Sequence, residues 1–233
     1  MDKKYLKQFI ENTLHLDVSD ETLSKFEKYE ALLKEWNSKF NLTAIRDDQG
    51  ILEKHFIDSI YPIAFVDFKD KKLCDIGSGA GFPGVPLAIM NPSLTVVLVE
   101  SNGKKTTFLN EVKNALGLEN LHVLRLRVEV LRYKEHFDFV TARAVTKLNI
   151  LSELSIPLLK INGELLAYKL YDVENELSEA KNALKALDAS LEDVKKYNLP
   201  ISGDGRSLVI VKKNGKTKLR YPRTYSEISA KPL

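Results

Sequence analysis

The residues best suited to chemistry in this chain lie in Leu73-Cys74-Asp75-Ile76-Gly77-Ser78-Gly79-Ala80-Gly81-Phe82-Pro83-Gly84. A short apolar run carrying Asp75 leads into four glycines within eight positions, and Val85 to Met90 turn apolar again. That order predicts strand, glycine turn and helix. Glycine supplies the positive φ angles of a tight strand-to-helix turn and lets a ligand lie against bare backbone. The unpaired N–H groups at the start of the next helix then face that ligand. A second apolar, β-branched run, Thr95 to Val99, closes on Glu100, 23 residues after Gly77. At that spacing a carboxylate ending a second strand reaches the hydroxyls of a ribose. The chemistry indicated is the binding of a nucleoside-bearing cofactor.

Gly79-Ala80-Gly81-Phe82-Pro83-Gly84 formally satisfies the dinucleotide pattern G-x-G-x-x-G. Two details argue against a dinucleotide. Pro83 and Pro86 delay the helix start, since proline fits a first turn but not an interior. Asp75, two residues before Gly77, is an acidic neighbour for a cationic ligand. A nicotinamide-dependent dehydrogenase would also need a positioned His or Tyr with a Lys, and His122 and His136 have no matching partners.

These residues need a scaffold, and the hydrophobic pattern supplies one. Residues 2 to 14 and the stretch opened by Ser19 as N-cap carry helical stripes, the second through Leu23, Phe26, Tyr29, Leu33, Trp36 and Phe40. Residues 49 to 61 resume a helix in which His55 and Asp58 share a face. No further metal-type ligand lies near, so a structural hydrogen bond is expected there and no metal. From Pro62 the chain alternates: strands at 73–76, 95–99, 121–126, 137–141 and 163–170, with helices at 104–116, 147–159 and 173–187. Residues 192 to 197 and 208 to 212 close the series. Alternation of this kind calls for a doubly wound, mostly parallel sheet, with ligands beyond the carboxyl ends of the strands. Asp75 to Gly81, Glu100, Val128, Glu129, Arg143 and Lys169 stand at those ends, with Glu100 assigned to the ribose and Val128-Glu129 to the adenine.

Length and charge narrow the class. The 233 residues suit one α/β domain with an appendage, and a net charge of +3 makes the distribution of charge matter more than its sum. A single cysteine, Cys74, excludes an internal disulfide and fits a reducing compartment, as a buried core residue. No signal peptide and no membrane-spanning run is visible, so a cytoplasmic protein without a membrane partner is expected. Positive charge gathers at the end of the chain: Lys212, Lys213, Lys216, Lys218, Arg220, Arg223 and Lys231 stand against Glu227, with Tyr221 and Tyr225 interleaved. Such a tail suits phosphates and unpaired bases. Arg127 and Arg206 extend the same expectation. Deleting residues 214–233 is then expected to spare cofactor binding and weaken action on RNA.

The strand ending Asp-x-Gly-x-Gly-x-Gly is similar to motif one of S-adenosylmethionine-dependent methyltransferases. Taken with Phe40-Asn41-Leu42-Thr43-Ala44-Ile45, His55-Phe56-Ile57-Asp58-Ser59, Gly103-Lys104-Lys105, Arg127-Val128-Glu129, Thr141-Ala142-Arg143-Ala144 and Tyr221-Pro222-Arg223, nearly the whole chain resembles one family. This is the bacterial 16S ribosomal RNA N7-guanine methyltransferase family, RsmG or glucose-inhibited division protein B. The resemblance implies a Rossmann-like α/β methyltransferase fold, with residues 1–70 as an N-terminal helical cap, 71–213 as the methyltransferase domain and 214–233 as a basic tail. It implies S-adenosylmethionine as cofactor, contacted by Gly77, Phe82, Val128, Glu129 and Arg143. The residues themselves add Asp75, Gly79, Gly81 and Glu100. Arg143 and Lys169 are the candidate catalytic residues.

The implied reaction puts a methyl group on N7 of one guanine of 16S ribosomal RNA (nucleotide 527 in the usual rRNA numbering). The partner is the RNA or the small ribosomal subunit, and the enzyme is a monomer. Glu100 departs from the family's usual aspartate, and Leu170 from its usual glycine. Two rivals remain at this level: a small-molecule methyltransferase, and a non-catalytic RNA-binding module.

Overall fold

Seven strands organise the protein, described over residues 1–233 by a computed structural model. They are β1 (Lys72–Ile76), β2 (Thr95–Glu100), β3 (Leu121–Arg125), β4 (Phe137–Arg143), β5 (Leu159–Leu170), β6 (Ala189–Asn198) and β7 (Gly205–Lys213). They form one sheet in the order β3-β2-β1-β4-β5-β7-β6. β1 pairs in parallel on both sides, Cys74 opposite Val97 of β2 and Val140 of β4. Only β7 is reversed, antiparallel to both β5 and β6. The chain winds outward from β1 in one direction and from β4 in the other, so strand order reverses between them. A crevice opens beyond the carboxyl ends at such a point.

The helices are α1 (Lys3–Thr13), α2 (Asp20–Phe40), α3 (Asp48–Gly50), α4 (Asp58–Ile60), α5 (Gly84–Met90), α6 (Gly103–Leu116), α7 (Leu148–Ser155), α8 (Glu174–Ala186) and α9 (Tyr225–Ala230). Ser19 caps α2 as expected, its Oγ accepting the Thr22 N–H at 3.1 Å. Gly117 closes α6 at φ +62°. The helix expected over residues 49–61 takes another form: α3, a π-helical stretch Ile51–Ile57, then α4 and a 3-10 turn, Tyr61–Ala64. Six of the seven π-helical residues are buried. A widened turn enclosed on most sides leaves no clean 3.6-residue stripe in the sequence.

Alternate strand residues face opposite sides of the sheet. Val96 and Leu98 join Phe26, Tyr29, Leu33, Phe56 and Phe108 in one core, while Val97 and Val99 join Leu151, Leu184 and Val209 in the other. The N-terminal helices are thus one layer of the main core. The last twenty residues also belong to the fold: Tyr221 and Ile228 are buried in the second core. No helix is long and apolar enough to cross a membrane.

Candidate functional site

A cavity of about 690 Å³ opens where strand order reverses. The glycine loop from Gly77 to Ala80 and Phe82 form one wall. Arg143, Tyr168, Lys169 and Arg206 come from β4, β5 and β7. The third wall is the N-terminal region, through Leu42, Thr43, Ile45, His55 and Asp58. Of the residues expected from sequence, the fold brings Gly77, Gly79, Phe82, Arg143, Lys169 and Arg206 to this one cavity.

The loop is held open from behind. The N–H groups of Gly77 and Ser78 both donate to Val99 O, at 2.9 and 3.2 Å. The Glu100 carboxylate, 8% exposed, accepts from Gly79 N–H through Oε2 at 2.9 Å and from Asn102 N–H through Oε1 at 2.8 Å. Gly79 has φ +59°, and a Cβ there would have nothing nearer than Gly77 O at 3.9 Å. Its backbone is bare toward a ligand.

Gly81, expected as a ligand contact, plays a packing role instead. At φ +99°, a Cβ on it would stand 2.6 Å from Val85 Cγ2 and 2.7 Å from the Tyr29 hydroxyl. That hydroxyl donates to Ala80 O at 2.5 Å and so ties α2 to the loop.

Asp75 is a second correction. It is fully buried under the loop and does not line the cavity. Its Oδ2 accepts the Gly84 N–H at 3.0 Å and its Oδ1 accepts the Thr141 hydroxyl at 3.1 Å. Burial pushes its pKa up to about 7, against these hydrogen bonds, which lower it. The acid expected beside a cation fastens the loop to α5 and β4.

Arg143, at the end of β4, is held by three acceptors from the helical cap. Nη1 donates to Lys54 O and to Asp58 Oδ2, both at 3.0 Å, and Nη2 donates to His55 Nδ1 at 3.3 Å. Arginine has five N–H groups, so Nε–H and one Nη2–H remain for a ligand. Asp58 Oδ1 also accepts the Tyr197 hydroxyl at 2.9 Å. His55 stacks on Phe82 with centroids 4.2 Å apart and rings 9° from parallel. Burial first, and Arg143 second, lower the His55 pKa to about 3, so its ring is neutral. With Nδ1 accepting from an arginine, its proton sits on Nε2 and is donated to Thr43 Oγ1 at 2.8 Å.

The expected structural bond between His55 and Asp58 therefore runs through Arg143, with no direct contact. The spacing of three placed the two on one face; their common partner lies 85 residues away in sequence. Thr43, Tyr29 and Tyr197 are site-forming residues the sequence reading missed. Tyr29 was recognised only as part of a core stripe.

Lys169 Nζ donates to Thr146 O at 2.8 Å and to Glu176 Oε2 at 2.6 Å, with one donor left over. Glu100, Val128 and Glu129 do not line the main cavity. Glu100 ends β2, opposite Arg125 of β3, and Val128-Glu129 form a short turn just past β3. Glu129 stands 3.8 Å from Arg127 and, with it, borders a separate hollow against residues 222–226.

The basic tail divides. Lys213 is fully buried, its ammonium donating to Leu159 O at 2.9 Å and facing Glu135 at 3.4 Å. Arg223 is clamped on fully buried Glu153, donating through Nε at 2.8 Å and Nη2 at 2.5 Å. Both were expected on RNA and both serve the fold. Lys212, opposite Glu164, and Lys213 lie at the end of β7 away from the cavity, because β7 runs antiparallel. Lys216, Lys218 and Arg220 are exposed.

S-adenosylmethionine fits this donor set. A bare, positive-φ glycine backbone and two free N–H groups of Arg143 for a carboxylate match its parts, with the Glu100 carboxylate bound to the loop at Gly79 N–H. A solved structure, M. jannaschii TYW2 in complex with AdoMet, shares the fold at TM-score 0.55 with 19% identity, covering 72% of this chain and 76% of that one. The curated ribosomal RNA small subunit methyltransferase G of Streptococcus gordonii is 42% identical over 94% of both chains. That of Staphylococcus epidermidis is 41% identical over 94% of this chain and 93% of its own. The GidB family model, described as rRNA small subunit methyltransferase G, matches residues 22–207, and the chain belongs to that family of methyltransferases.

Proposed function

We propose that this enzyme methylates N7 of a single guanine in 16S ribosomal RNA, nucleotide 527 in the usual numbering, with S-adenosylmethionine as donor. Its substrate is the RNA or the small ribosomal subunit in the cytoplasm, and it acts as a monomer. One observation carries the choice of reaction: the cavity offers orientation and burial but no histidine free to act as general base, and its carboxylates Asp58 and Glu176 are held by Arg143 and Lys169, leaving only solvent-exposed Asp172 unpaired. His55, its imidazole, is neutral and has both nitrogens engaged. Guanine N7 has an in-plane lone pair and no proton to lose, so it needs none.

The bound cofactor supplies a methyl group on a positively charged sulfur. Gly77 and Gly79 give backbone for its amino-acid part, Arg143 takes the carboxylate, and Glu100 takes the ribose hydroxyls, with Val128 and Glu129 beyond. Phe82 and its stacked partner His55 wall the cavity on the cap side and exclude water. Catalysis of this kind rests on proximity, alignment and desolvation. Lys169, with one N–H group unused, stands at the end of β5 where the incoming purine arrives and points a donor at its exocyclic oxygen.

The test is transfer of labelled methyl from S-adenosylmethionine to small-subunit RNA, free and in particles, from cells lacking this protein. Strand cleavage selective for N7-methylguanine then maps the position. One labelled guanine is the expected result. No label on any RNA, with S-adenosylhomocysteine still bound, would replace this reading with a small-molecule methyltransferase.

A further inference from the structure

The expected RNA-binding residues at the chain end are partly taken up by the fold, while three other cations have no carboxylate partner. Lys104 and Lys105 stand in the first turn of α6, and Arg125 ends β3 beside them. The Arg125 guanidinium lies flat over Gly103: a Cβ there would be 2.8 Å from Nη2 and 2.9 Å from Cζ. No carboxylate comes within 4.0 Å of any of the three, whereas nearby Lys39 and Arg127 have Glu35 and Glu129. Lysines at this end of a helix oppose its dipole, where acids are the favourable choice. Three like charges without a carboxylate partner in such a place weaken the fold.

Beside them is an exposed aromatic. Phe40 ends α2 with 39% of its surface exposed, Trp36 behind it at 5.3 Å and Lys104 Nζ 5.1 Å from its ring centroid. The patch runs without a break into the cavity: Lys105 lines it, and so do Leu42 and Ile45, just past Phe40.

We propose that Phe40, Lys104, Lys105 and Arg125 form the docking face for single-stranded RNA flanking the target guanine, the cations holding phosphates and Phe40 stacking on an unpaired base. Cations along a backbone path with a bare aromatic beside it are the combination that unpaired strands require, and each base offers a face to stack. Duplex recognition would not use the ring. The inference rests on the ribosomal RNA substrate proposed above.

The experiment measures retention of protein-free 16S ribosomal RNA lacking the methyl mark, across a salt series, by the full-length protein. Calorimetry with S-adenosylhomocysteine runs in parallel on each variant. The Lys104→Gln/Arg125→Gln pair, neither residue lining the cavity, is expected to weaken RNA binding and flatten the logarithmic salt slope by about 1.4, two contacts at about 0.7 each. Phe40→Ala is expected to weaken binding about tenfold with the slope unchanged. Both should bind S-adenosylhomocysteine as the parent does, which shows an intact fold and cofactor site. A Lys216→Gln/Lys218→Gln pair should move the slope less.

Parent-like RNA binding by the first two variants, or a loss confined to the tail pair, overturns the docking face and leaves the methylation reading standing. Failure of the parent protein both to bind and to methylate the RNA overturns the two together.

Discussion

Asp58 Oδ2 accepts a 3.0 Å hydrogen bond from Arg143 Nη1, joining the helical cap to the end of β4 across 85 residues of sequence. Through this bond the cap sets the direction of an arginine that lines the cavity. Asp58→Asn removes the countercharge and Arg143→Lys removes the planar fork, which a lysine cannot replace. Each is expected to weaken S-adenosylhomocysteine binding at least about tenfold, worth about 1.4 kcal/mol. Because the two act as a unit, the double variant should lose less than the sum of the singles. Calorimetry on the four proteins decides this, and strictly additive losses would mean that they act separately.

Two glycines of one loop should respond in opposite ways. Gly81→Ala drives a methyl into Val85 and Tyr29 at a positive φ, and thermal unfolding should show a loss of about 2 kcal/mol or more. Gly79→Ala meets open space, so its stability cost is the positive φ alone, about 1 kcal/mol. Its methyl projects where the cofactor lies, and ligand binding should suffer most. A Gly79→Ala protein that binds S-adenosylhomocysteine normally would contradict the assignment of the bare backbone.

The pH dependence of stability follows from two buried groups with opposite signs. His55 is lowered from 6.5 to about 3, so the unfolded chain takes up a proton that the folded one refuses. Its contribution is therefore lost as pH falls below about 6.5. Asp75 is raised from 3.8 to about 7, so the folded chain binds the extra proton, and stability rises as pH falls from about 7 toward 4. Between pH 7 and 5 the two slopes largely cancel. Asp75→Asn should expose the His55 limb, losing about 2 kcal/mol over that range, and His55→Gln should expose the Asp75 limb with a gain of similar size. Thermal melts at several pH values would show whether the slopes separate in this way.

The chain end is a structural element before it is anything else. Arg223→Ala leaves the Glu153 carboxylate buried without its partner, a change that costs about 3–5 kcal/mol. Deleting residues 214–233 removes Arg223 together with buried Tyr221 and Ile228, so it should lower the melting temperature markedly and cofactor binding with it. This reverses the sequence-based expectation that the deletion spares cofactor binding. A truncated protein that melts like the full chain would restore it.

Much of the fold was legible in the chain itself because its signals are local. Alternating apolar runs, Ser19 before α2, Gly117 after α6 and the glycine stretch before α5 each act within a few residues. The main elements formed near their expected positions, although α7 stops at Ser155 and β5 begins at Leu159, where the pattern predicts helix through residue 159. Residues 49–61 read as helical and are so, but the π-helical form of Ile51–Ile57 was not legible, because apolar spacing does not report a turn widened by one residue.

The sequence alone determined the alternating α/β order, the glycine turn, the acid at the end of the second strand and the arginine at the end of the fourth, because each depends on residue type and spacing along one segment. Only the tertiary structure decided which charges meet. It buried Asp75 beneath the loop, placed Lys213 and Arg223 inside the fold, and brought His55 and Asp58 of the cap onto Arg143. It also left Lys104, Lys105 and Arg125 without carboxylate partners. The physical reason is that burial and pairing belong to contacts between distant segments. Through-space electrostatics and desolvation then decide whether a charged residue holds the fold together or faces a ligand.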